Sequence, residues 1–103
     1  MNYQLVLQMR DSSRAALEIM LDLERALVET LSEKVGYVDG HDTGSGETNI
    51  FIHADDPRTV FAQLRTLPRL NEILPLLRVA YRQMQSDDWI ILHPESLTHF
   101  AVL

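Results

Sequence analysis

Asp39-Gly40-His41-Asp42-Thr43-Gly44-Ser45-Gly46-Glu47-Thr48-Asn49 is the stretch that decides the fold. It is polar and glycine-rich, and it lies between two runs that read as strands, residues 35–42 and 47–54. Two strand runs joined by four residues such as Thr43-Gly44-Ser45-Gly46 form a β-hairpin. Gly44-Ser45 suits the centre of a two-residue turn with a positive φ at its first position. That placement sets Asp42 opposite Glu47 and Val38 opposite Phe51. Val35, Tyr37, Ile50 and Ile52 then share one face, and Val38, Asp42, Glu47, Asn49, Phe51 and His53 share the other. A slip of one residue in the loop exchanges the faces of one strand.

Working outward, residues 3–9 alternate Tyr3, Leu5, Leu7 and Met9 against Gln4, Val6 and Gln8, a strand with one apolar face. Residues 12–34 carry Ala16, Met20, Leu23, Leu27 and Leu31 at helical spacing, with Asp11, Ser12 or Ser13 as the cap and Gly36 as the exit. Asp56-Pro57 opens a second helix, because Asp caps the first free N–H groups and Pro fits the first helical position. Pro68 stops it, and a short helical turn follows over 69–74. Residues 76–84 read as a strand with Leu77, Val79 and Tyr81 on one face and Arg78, Ala80 and Arg82 on the other. Ser86-Asp87-Asp88 turns the chain into a short edge strand over 89–93. The order predicts one α+β domain over residues 1–103. Its expected architecture is a ferredoxin-like βαββαβ antiparallel sheet with two helices on one face and an extra C-terminal edge strand. The second sheet face is then open, or covered by a partner or by residues 94–103.

At 103 residues the chain has material for one core. Hydrophobic residues at 46% argue against global disorder. With no cysteine, disulfides, thiolate metal sites and cysteine nucleophiles are excluded. The first ten residues lack a basic region followed by an apolar run, and no window approaches the roughly 18 apolar residues of a membrane span. A net charge of −6 repels phosphate backbones and disfavours nucleic acid. The expected setting is cytoplasmic, with no membrane partner.

The run from Val38 to Pro57 resembles the signature of a family of small uncharacterised bacterial proteins, roughly D-G-H-D-x-G-S-G-E-x-N-I-F-I-x-T-D-D-P. Ala80-Tyr81-Arg82 and Trp89 with His93-Pro94-Glu95 are similar to its C-terminal half. The resemblance implies a ferredoxin-like α+β fold and a bacterial cytoplasmic setting. It implies no activity, and it departs at Ala54, where the pattern has Thr.

The hairpin turn concentrates the chemistry-bearing side chains. Asp39, His41, Asp42, Ser45, Glu47 and Asn49 are the candidate ligand-binding residues. His41 and His53 fall on opposite faces and near opposite ends, so the pattern predicts no shared metal ion. Thr43-Gly44-Ser45-Gly46 precedes a strand, whereas a phosphate loop precedes a helix. No nucleophile is paired with a base by motif, so no catalytic residue and no cofactor are expected. Arg78 and Arg82 on the open face, with Trp89 and Ile91 on the edge strand, are the candidate interface. The leading expectation is a non-enzymatic protein-interaction domain. Its partner is a second copy or another protein, in one version a basic toxin held by an acidic immunity-type inhibitor. One alternative is a small enzyme or ligand- or metal-binding protein using the turn, with His41 as base, Asp39 orienting it, and Glu47 or Asn49 on the ligand. The other is a regulatory domain sensing a small molecule.

Overall fold

The alternation in the first strand sorts the whole molecule into two layers of side chains. In the computed structural model, which describes residues 1–103, β1 (Tyr3–Met9) is the central strand of a five-stranded sheet. It pairs antiparallel with β3 (Glu47–Ala54) on one side and β4 (Leu77–Gln83) on the other. Beyond β3 lies β2 (Gly36–Gly44), and beyond β4 lies β5 (Ile90–His93), giving the order β2-β3-β1-β4-β5. The connections from β1 to β2 and from β3 to β4 each carry helix and each step across one intervening strand. The protein is therefore α+β with a wholly antiparallel sheet. No helix is long and apolar enough to cross a membrane.

The helices cover one face. α1 (Arg14–Thr30) presents Ala16, Met20, Leu23 and Leu27, and α2 (Pro57–Leu64) presents Val60, Phe61 and Leu64. With Leu70 from the short α3 (Pro68–Ile73), they pack on Leu5, Leu7, Met9, Ile50, Ile52, Leu77, Val79 and Tyr81 in a core of 19 buried residues. α1 is shorter at both ends than its apolar periodicity predicts. The Ser13 N–H donates to Asp11 Oδ1 at 2.8 Å, and Ser13 Oγ caps the Ala16 N–H at 3.1 Å, so the helix begins after Ser13. Leu31 turns to an extended backbone and points its buried side chain into the same core, which ends the helix before Ser32. α2 starts as read from Asp56-Pro57, with Asp56 accepting from the Thr59 N–H.

The hairpin needs two corrections. Its turn is Ser45-Gly46, not Gly44-Ser45, with φ of 53° and 81° at the two central residues. Two positive values make a primed turn, whose twist matches the flanking strands. The pairing moves with it: Asp42 faces Asn49, and Gly44 faces Glu47. The second correction is a bulge at Asp39 between Val38 and Gly40. A single extra residue exchanges faces beyond it. Val38 therefore faces Ile52 and packs on the helix-side core, while Tyr37 faces His53 on the other side. At Gly36 any Cβ would lie 2.6 Å from the His53 carbonyl oxygen, so the strand enters the sheet at a position that only glycine fits.

Residues 94–103 close the second face. Phe100 is buried with Val6 and Ala80, and Phe51, Trp89, Ile91, Leu97 and Val102 pack around them. Of the three arrangements open to that face, coverage by the chain's own residues is the one adopted.

Candidate functional site

Strand register builds three cross-strand rows on the second face. The middle row is Gly40, Phe51, Val6, Ala80 and Ile91, which supplies the small apolar cluster under Phe100. One flanking row is Tyr37, His53, Gln4 and Arg82. The other is polar throughout: Asp42, Asn49, Gln8 and Arg78. Glu47 joins this last row from two pairs nearer the turn, on the same face.

The polar row converges under the strap formed by residues 97–103. Gln8 Nε2 donates to Glu47 Oε2 at 2.8 Å, to Asn49 Oδ1 at 3.0 Å and to the Ala101 carbonyl at 2.9 Å. Asn49 Nδ2 donates to Glu47 Oε2 at 2.8 Å and to Asp42 Oδ1 at 2.9 Å. Glu47 Oε1 accepts only a long bond, 3.4 Å, from the Leu103 N–H. Glu47 is 1% exposed, Gln8 and Asn49 are fully buried, and no Lys, Arg or His nitrogen lies within 4.0 Å of the Glu47 carboxyl. A carboxyl so placed depends on its N–H donors to offset desolvation. Gln8 has two hydrogens for three acceptors, while its Oε1 is buried without a partner. An unpaired buried carbonyl costs about 1–3 kcal/mol. The cluster is thus a strong set of directed groups with one group left over.

Of the hairpin residues singled out in the sequence, Asp42, Glu47 and Asn49 meet in this cluster. The others are elsewhere. Asp39 occupies the bulge, and its Oδ2 lies 3.3 Å from His53 Nε2, with Tyr37 stacked on the imidazole at 5.1 Å. His41 is on the helix side, with Nδ1 3.0 Å from Glu24 Oε2. Ser45 is exposed at the turn, where it lines a hollow of about 140 Å³ with Asp42, Thr43, Gly44 and Leu103. His41 and Asp39 are thus on opposite faces and share no site. No group of three His, Asp or Glu side chains is close enough to hold a metal ion.

The interface candidates have neighbours within the chain. Trp89 meets Phe100 edge-on with centroids 4.8 Å apart, and Ile91 packs on the same cluster. Arg82 lies over Trp89 at 5.5 Å and donates to Gln4 Oε1. Arg78 is half-buried beside Gln8 and pairs with no carboxylate within 4.0 Å.

Gln8 is the site residue that sequence reasoning missed. The signal was present: Gln4 and Gln8 occupy the polar positions of a strand that takes the middle of the sheet. A glutamine there must find buried partners.

The only carboxylates held clearly below their ordinary range sit at helix starts, Asp11 two residues before the α1 cap Ser13 and Asp56 as the cap of α2. For Asp11 the causes are the backbone N–H of Ser13 and then its hydroxyl. For Asp56 they are the Thr59 hydroxyl and then its N–H. Neither group belongs to the cluster.

The chain matches none of the protein families, curated proteins or solved structures with which it was compared.

Proposed function

We propose that this chain is a non-enzymatic protein-interaction domain whose second sheet face receives an extended apolar segment. The observation that carries this reading is the seating of residues 97–103. That strap places Phe100 in an apolar seat made by Val6, Ala80 and Trp89. Gln8 reads one of its carbonyls and Glu47 one of its N–H groups. An apolar anchor combined with side-chain recognition of main-chain groups is how extended peptides are held. A partner's segment of similar pattern takes the place of the strap. The net charge of −6 favours a partner with basic flanks, and acidic inhibition of a basic toxin is one form of this.

The strand order and the two interleaved crossovers support reading the fold as ferredoxin-like with β5 added at the edge. The 38–57 signature supports membership of the bacterial family it resembles and a cytoplasmic setting. Against an enzyme stands the separation of His41 from Asp39, Glu47 and Asn49.

A peptide with the sequence of residues 95–103, titrated into the Phe100→Ala chain and followed by NMR or calorimetry, tests the reading. The variant loosens its own strap, so saturable micromolar binding is expected, far weaker in the wild type. Absence of binding at millimolar peptide, in a variant that remains folded, sinks it.

A further inference from the structure

Between the strap and the β4–β5 turn lies a cavity of about 290 Å³, lined by Gln4, Phe51, Arg82, Asp87, Trp89 and Val102. Ligand sites commonly measure roughly 300–1,000 Å³, so this one suits a small metabolite and not a nucleotide. Its chemistry is unusual in holding one charge of each sign without joining them. Arg82 and Asp87 both line it, yet no carboxylate oxygen lies within 4.0 Å of the Arg82 guanidinium.

Arg82 is nevertheless rigidly held. Nε donates to Gln4 Oε1 at 3.0 Å, and Nη1 donates to the Met84 and Ser86 carbonyls at 3.1 and 3.0 Å. The guanidinium stands over the Trp89 ring. None of these bonds uses Nη2. A guanidinium fixed by neutral acceptors keeps its full charge and a free edge for a carboxylate, with little side-chain entropy left to lose. Asp87 supplies an acceptor for a cation. Phe51, Trp89 and Val102 supply apolar surface in the same hollow.

We propose that this cavity binds a small zwitterion of the α-amino-acid class. Arg82 Nη2 takes the carboxylate, Asp87 takes the ammonium, and Phe51, Trp89 and Val102 give an apolar side chain a surface to lie on. This goes beyond the peptide-binding reading and does not require it. The strap stays in place, because Val102 is one wall of the cavity.

Trp89 is the only tryptophan and lines this cavity, so its fluorescence responds to a ligand bound there as well as to the neighbouring Phe100 contact, and the two variants below assign the change to the cavity. Wild-type protein is titrated with L-leucine, L-phenylalanine, hydrocinnamate, which lacks the ammonium, and phenethylamine, which lacks the carboxylate. A saturable change is expected with at least one amino acid. Binding of hydrocinnamate and phenethylamine should be at least ~10-fold weaker than that of L-phenylalanine, the size of a lost charged hydrogen bond. Arg82→Gln should abolish the response. Because Arg82 also ties down the turn, Asp87→Asn on the exposed turn is the second variant. It should fold normally and erase the preference for L-phenylalanine over hydrocinnamate. No saturable response to either amino acid overturns the proposal. So does equal binding of hydrocinnamate by the wild type, or an unchanged ligand preference in Asp87→Asn. The peptide titration uses a different variant and ligand, so failure of one reading is distinguishable from failure of the other.

Discussion

The two faces of the sheet are built by opposite rules. The helix side buries 19 residues in one contiguous apolar cluster, while the strap side buries only Val6, Ala80 and Phe100 as its own cluster. The strap side makes up the difference with polar groups: Gln8, Glu47 and Asn49 are buried there. Apolar burial is non-directional and scales with area, so the helix side carries most of the stability. Buried hydrogen bonds contribute little net energy but fix geometry, so the strap side carries selectivity. A face that is thinly apolar, tightly directed and covered by a short segment can exchange its cover without unfolding the domain.

The sharpest way to break this contrast is to truncate one anchor on each face. Leu23 is fully buried in the helix-side core, and Leu23→Ala should cost about 2–5 kcal/mol in denaturant unfolding. Phe100 is larger and nearly as buried, at 4% exposure, so burial alone ranks its loss at least as high. If the strap detaches locally, Phe100→Ala should cost clearly less than Leu23→Ala. It should also change Trp89 fluorescence in the native state, because Trp89 loses its edge contact with Phe100. Equal losses in global stability, with native fluorescence unchanged, would show the strap to be an integral part of the core.

A smaller effect sharpens the polar half of the comparison. Gln8→Ala and Glu47→Ala each strand groups that the other residue satisfied, and each should cost about 1–3 kcal/mol. The double variant should cost less than their sum, with a coupling of about 0.5–3 kcal/mol. Strict additivity would mean that the 2.8 Å contact between Gln8 and Glu47 carries no coupling.

These contrasts also explain what could be read from the chain and what could not. Element types followed from periodicity, since the alternation of Tyr3, Leu5, Leu7 and Met9 with Gln4, Val6 and Gln8 and the Ala16-Met20-Leu23-Leu27 stripe have one physical outcome each. The Asp56-Pro57 start was readable because both residues satisfy the same helix terminus locally. The hairpin register was not readable. Gly44-Ser45 and Ser45-Gly46 are both acceptable turns, and because they differ by a two-residue shift in pairing they leave every side chain on the same face, so the apolar pattern does not choose between them. The bulge at Asp39 left no local mark beyond Gly40. Its effect, moving Val38 inward and Tyr37 outward, is decided by which side chain fills the core. The candidate site was half legible. Asp42, Glu47 and Asn49 belong to one face on either register, but Gln8 comes from a strand 39 residues from Glu47, and no spacing rule joins them.

The smallest expected effect lies on neither face, at the exposed start of α2. Asp56 accepts from the Thr59 hydroxyl at 2.8 Å and the Thr59 N–H at 3.2 Å, and these bonds hold its carboxyl below the ordinary value of 3.8. A carboxyl whose folded value is depressed stabilises the fold above its unfolded value. That contribution is lost as pH falls through the folded value. Asp56→Asn keeps a capping oxygen and removes only the charge, which favours the positive end of the α2 dipole. The wild type should therefore be the more stable of the two at neutral pH, and the difference should shrink steadily below about pH 4. Urea midpoints of the two proteins measured along the same pH series check this, because contributions from all other carboxylates cancel. A difference that stays constant into acid would assign the cap to hydrogen-bond geometry alone. A difference that grows would reverse the sign and remove the charge from the account of why α2 begins at Pro57.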